Sequence, residues 1–127
     1  MEKISLTRKE LENFAIHALG IAKLALRRMS TQFLAQLLQL KISGDYRAAH
    51  LADEIEHLER LRQGMAAPTG GRFKKISDEW IVFKCYNGCN YYLTMAKMNE
   101  GDQNINQRVR DAYDFDFPFL HELLRAN

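Results

Sequence analysis

Apolar positions in the first third of the chain recur at spacings of three and four. Leu11, Phe14, Ala18, Ile21, Ala22, Ala25 and Met29 line up on one side, the pattern of a helix with a buried stripe. Thr7-Arg8-Lys9-Glu10 supplies a capping box at its start, and Leu6 with Leu11 completes a hydrophobic staple. Without a proline or glycine-rich break before Ser43-Gly44-Asp45, the pattern predicts one helix from about Arg8 through Leu40, kinked around Ser30-Thr31. Such a helix spans on the order of 50 Å, so a bend or another subunit must cover part of its apolar surface. Ala48, Leu51, Ala52, Ile55, Leu58 and Leu61 form a second stripe. The two predicted helices make an antiparallel helical hairpin.

The period changes to two between Asp78 and Met98, around Asn87-Gly88. That dipeptide is the strongest short-range hairpin signal, because a type I′ turn needs positive φ at both central residues. A two-residue turn pairs Tyr86 with Cys89, Cys85 with Asn90, Phe83 with Tyr92 and Ile81 with Thr94. Trp80, Val82, Lys84, Tyr86, Cys89, Tyr91, Leu93 and Met95 then share a mostly apolar face, assigned to the core. Phe83, Asn90 and Tyr92 fall on the other face with Ile81, Cys85 and Thr94, a surface aromatic enough to meet a ligand or partner. The segment from Arg72 to Ser77 can add a third strand, which an isolated hairpin needs. Gly101-Asp102 predicts a turn and helix start, followed by a short amphipathic helix carrying Ile105, Val109, Ala112 and Tyr113. Phe115, Phe117, Phe119, Leu120, Leu123 and Leu124 around Pro118 predict a docked tail.

These elements define an α+β fold in a single domain, residues 1–127. It comprises a helical half (7–63), a glycine- and proline-containing linker (64–71), and a half with a small antiparallel β-sheet and short C-terminal helices (72–127). At 127 residues the chain is long enough for one real core. Its formal charge of +2, from 18 basic and 16 acidic residues, argues against bulk nucleic-acid or membrane binding. No secretory signal or membrane-length apolar stretch is present, so the expected location is cytoplasmic.

Candidate chemistry is sparse. His50, Asp53, Glu54 and His57 share a helical face, but a single Glu-x-x-His cannot supply a di-iron site and reads as a solvated surface. His17 beside the first stripe reads as a core or interface histidine. Cys85 and Cys89 fall on opposite sheet faces, too far apart in direction for a disulfide or shared metal. Pairing either thiol with the distant His121 lacks an activating neighbour. Asp114 and Asp116 read as helix or turn caps. No phosphate loop occurs, so the expectation is a non-enzyme without metal or cofactor.

Binding remains. Arg27 and Arg28, then Arg72, Lys74 and Lys75, then Arg108 and Arg110 form local basic groups. Arginine near an aromatic ring and an amide suits a nucleotide, because guanidinium matches phosphate and rings stack on bases. The same residues also suit surface charges around an oligomer interface.

A helical pair over Leu6–Gln63, an antiparallel sheet around EWIVFKCYNGCNYYLTM and a late helix over Asp102–Tyr113 together resemble the Thoeris anti-defence sponge proteins of bacteriophages. The resemblance implies a homo-oligomer, assembled here through the N-terminal helices, that sequesters a cyclic ADP-ribose signalling nucleotide without turnover. The location would then be the host cytoplasm. It also implies a ligand site of Phe83, Asn90, Arg108 and Arg110, to which the hairpin face adds Tyr92, and a second nucleotide site at Arg27 and Arg28. The alternative expectation is a protein–protein inhibitor or small regulator that docks a macromolecular partner through the aromatic hairpin face.

Overall fold

A computed structural model describes the backbone of residues 6–64, 70–76, 79–97 and 99–120, and the side chains of residues 6–60, 80–97 and 99–120. The side chains of Leu61, Arg72, Lys74 and Lys75, most of the expected linker, His121, Leu123 and Leu124 lie outside these. The chain is α+β, and its elements run α1 (Arg8–Leu19), α2 (Lys23–Leu26), α3 (Thr31–Ile42), α4 (Arg47–Gly64), β1 (Gly70–Ile76), β2 (Glu79–Tyr86), β3 (Cys89–Lys97) and α5 (Asp102–Phe115).

The capping box forms as its residues dictate. The Thr7 hydroxyl accepts from the Glu10 amide at 3.2 Å, and the Glu10 carboxylate accepts from the Thr7 amide at 3.0 Å. The helix it starts, however, is not continuous to Leu40. Gly20 stands at the C-cap of α1 with φ of +68°, a left-handed conformation that costs glycine little. Ser30 then caps α3, its hydroxyl accepting from the Phe33 amide at 3.0 Å. A bend thus answers the excess length. It folds Met29, Phe33, Leu34, Leu37 and Leu38 into the same core as Leu11 and Ala15, all of them buried. Ala18 and His17, expected on or near the buried stripe, are exposed, because α1 turns a different side inward once it ends at Leu19. Asp45 marks the next helix start by accepting from the Arg47 amide at 2.9 Å and from its guanidinium.

The three strands form an antiparallel sheet in the order β1-β2-β3. The strand added to the hairpin, β1, begins at Gly70, so the linker is shorter than 64–71. Asn87 and Gly88 take φ of +52° and +77°, as their turn requires. Pairing follows expectation from Tyr86–Cys89 to Phe83–Tyr92, then slips: Val82 faces Thr94 and Ile81 faces Met95. Leu93 is the extra residue, a β-bulge that reverses which face each later side chain takes. Met95 therefore joins Ile81, Phe83 and Tyr92, while Thr94 crosses to the opposite face.

The burial of the two sheet faces also differs from expectation. The face of Ile81, Phe83 and Tyr92 is not an open surface, since it packs against α1, α3 and α4 as the main hydrophobic core. The opposite face, with Leu93, Tyr86 and Tyr91, packs against Ala112, Tyr113, Phe117 and Leu120 of α5 and the segment after it. The β2-β3 hairpin is therefore covered on both sides. At about 25 cal/mol per Å² of apolar area removed from water, each buried Phe or Leu in these layers contributes roughly 1.5–3 kcal/mol.

Candidate functional site

The amide and aromatic residues expected to greet a ligand instead form an interior polar network. Tyr92 is 0% and Asn90 1% exposed. The Tyr92 hydroxyl donates to Glu59 Oε2 at 2.6 Å, linking β3 to α4. Arg28 grips the same carboxylate in a fork, with Nη2 to Oε1 at 2.6 Å and Nη1 to Oε2 at 3.1 Å, and also donates to the Asn90 carbonyl. The Asn90 side-chain amide donates to the Leu58 carbonyl, and the Cys85 thiol donates to Asn90 Oδ1. Burial and the Glu59 hydrogen bond both push the Tyr92 hydroxyl well above its ordinary range. For Arg28, burial acts downward, but the Glu59 carboxylate outweighs it and holds the guanidinium charged. Phe83, 5% exposed, stands 6.1 Å from the Tyr92 ring inside this core. The three residues are together, as expected, but as part of the interior.

Arginines from the rest of the chain protect the outer edge of β3. Backbone residues 28–30 run beside it: Tyr92 donates its amide to the Arg28 carbonyl at 2.7 Å, and Ser30 donates to the Tyr92 carbonyl at 2.8 Å. The Ser30 hydroxyl donates to the carbonyl of the bulged Leu93 at 2.5 Å. Further along, Gln36 brackets the Met95 amide and carbonyl. Arg108 reaches Thr94 and the Met95 carbonyl while pairing with Glu100 at 2.6 and 2.9 Å. A sheet edge sealed this way cannot recruit another strand. Arg27 and Arg110 are exposed and stand apart from this network. The expected ligand set is therefore spread out, with Phe83, Asn90 and Tyr92 in the core, Arg108 on the edge of β3 and Arg110 exposed; of the expected second site, Arg28 is held by Glu59 while Arg27 is exposed.

A concavity opens elsewhere, between α3 and the end of α5, with a volume of about 570 Å³. Thr31, Gln32 and Ala35 form one wall. The other carries Asp111, Ala112 and Phe115, with Asp114 and Asp116 at its end. Asp116 fixes the floor: its carboxylate accepts from the Thr31 amide at 3.0 Å and hydroxyl at 2.8 Å, and Arg8 lies 3.7 Å away. This is the capping role expected of Asp116, exercised on the start of α3. Gln32 ties the walls together by donating to the Arg108 carbonyl at 2.6 Å. Phe115, at the rim, is 78% exposed. The apolar cluster around Pro118 predicts Phe115 in a docked tail, and its exposure departs from that. The available signal is its position as the last residue of an amphipathic helix whose larger apolar side chains, Val109 and Tyr113, pack toward the sheet.

No group of three or more His, Cys, Asp or Glu able to hold a metal occurs among the described residues, and no described helix is long and apolar enough to cross a membrane. No protein-family model, curated protein or solved structure matches the chain.

Proposed function

We propose that this protein is a non-catalytic docking module, a small regulator or inhibitor that holds a protein partner in the groove between α3 and α5. The observation that carries this reading is Phe115, a large aromatic side chain left 78% exposed at the rim of a groove whose floor is held by hydrogen bonds. An exposed aromatic beside a concavity is what an interface anchor requires. The docking surface moves from the hairpin, where both faces are covered, to α5. The nucleotide-sequestering reading draws less support, because Phe83, Asn90 and Tyr92 are buried and Arg28 and Arg108 are engaged with Glu59 and Glu100.

The test is comparative capture. Wild-type protein and Phe115→Ala are immobilised, proteins retained by wild type alone are identified, and the complex is rebuilt from purified components. A stoichiometric complex with wild type and not with the variant supports the reading. Identical retention by both sinks it.

A further inference from the structure

The groove's charge indicates what it accepts. Resting on the docking reading, we infer that the groove between α3 and α5 takes an arginine-bearing segment of the partner protein. The described residues lining it include three aspartates and no lysine or arginine. Asp116 is occupied by Thr31 and approached by Arg8. Asp111 is exposed, and its hydrogen bond at 3.0 Å is to the neutral Gln107 amide, which leaves its charge uncompensated by that contact. A phosphate or acidic peptide would be repelled here, whereas a cation is attracted.

Helix geometry selects arginine among cations. Asp111 and Phe115 are four residues apart on α5, one above the other on the same side. One guanidinium can lie flat on the Phe115 ring while its edge donates to the Asp111 carboxylate, combining a cation–π contact with a charge-assisted hydrogen bond. Lysine offers a point charge without the flat face. Ala35 and Ala112 leave room beside the ring for the aliphatic stem. Gln32 adds a polar group on the opposite wall.

Fluorescence anisotropy on the full chain tests this, with labelled peptides of alternating arginine and alanine, about ten residues long, and counterparts in which lysine, glutamine or glutamate replaces arginine. The arginine peptide is expected to bind, roughly tenfold more tightly than the glutamine peptide and several-fold more tightly than the lysine peptide. Asp111→Asn and Phe115→Ala should each weaken it by about three- to tenfold, and Asp102→Asn, outside the groove, should leave it unchanged. Thermal melts by circular dichroism confirm that each variant is folded. Equal binding of arginine and glutamine peptides, with both sensitive to Phe115→Ala, overturns the arginine inference and leaves the docking reading intact. Binding insensitive to Phe115→Ala, or no binding of any peptide, overturns the inference, and comparative capture then decides the docking reading separately.

Discussion

Tyr92 and Glu59 are joined by a 2.6 Å hydrogen bond in which the phenol donates to a carboxylate already forked by Arg28. This contact ties β3, at the edge of the sheet, to α4, and it makes the phenol proton part of the folded structure. Burial first, then the Glu59 bond, raises the Tyr92 pKa above its ordinary value of 10.0. The folded state thus keeps a proton that the unfolded chain releases. The contribution is fully present below pH of about 10 and is lost as pH rises beyond it. Tyr92→Phe should lower stability near neutral pH by about 1–2 kcal/mol and flatten the alkaline limb of a denaturant-midpoint-against-pH curve. An alkaline limb as steep as that of wild type would refute the role of this hydroxyl.

Removing one member of the ion pair exposes how far the rest depends on it. Side chains of Arg28 and Glu59 are 18% and 20% exposed, so Glu59→Ala strands a largely buried guanidinium. The expected loss is about 2–4 kcal/mol, whereas Arg28→Met with Glu59→Leu together should recover much of it, since an apolar pair does not leave an unpaired charge. Urea titrations of the two singles and the double measure the coupling, and strict additivity would contradict it.

At the far end of β3, Arg108 holds the Glu100 carboxylate below its usual range, chiefly through their hydrogen bonds. A carboxylate with a depressed folded pKa contributes stability above its unfolded value near 4.5 and loses it as pH falls through the folded pKa. Arg108→Ala should therefore destabilise the protein at neutral pH and remove part of its acid sensitivity below pH of about 4.5. Acid titrations followed by far-ultraviolet circular dichroism check this.

The nucleotide reading makes an opposite demand on Phe83. A ligand-stacking ring is dispensable for folding, but a core ring 5% exposed is not. Phe83→Ala should cost roughly 3–5 kcal/mol by opening a cavity between Tyr92 and the helices. Wild-type protein incubated with cyclic ADP-ribose isomers should leave the supernatant undepleted. Depletion reversed by heat denaturation would restore the sponge reading.

Local chemistry was legible in the residues themselves: the Thr7–Glu10 capping box, the Asn87-Gly88 turn, the start of α5 and the capping role of Asp116. What escaped depends on the number of layers. A period of two separates Phe83 and Tyr92 from Val82 and Leu93, but it does not say whether one face or both will be covered. The bulge at Leu93 leaves no mark in the alternation, because Leu93, Thr94 and Met95 are acceptable on either face of a covered sheet. The break at Gly20 carries no mark in the pattern, since a single glycine is tolerated in a helix and only the tertiary bend favours its left-handed conformation. The groove depends on α3 and α5 approaching from opposite ends of the chain, a contact that no local spacing encodes.

The docking role proposed for α5 rests on the Phe115 ring, so one paired measurement tests it. Phe115→Ala removes an exposed ring and should leave the melting temperature within about 2 °C of wild type, as surface substitutions do. In the same preparations, partner capture at saturating immobilised protein should fall at least about tenfold, the loss expected of an interface anchor. Unchanged capture by a Phe115→Ala protein of wild-type stability would rule out Phe115 as the anchor.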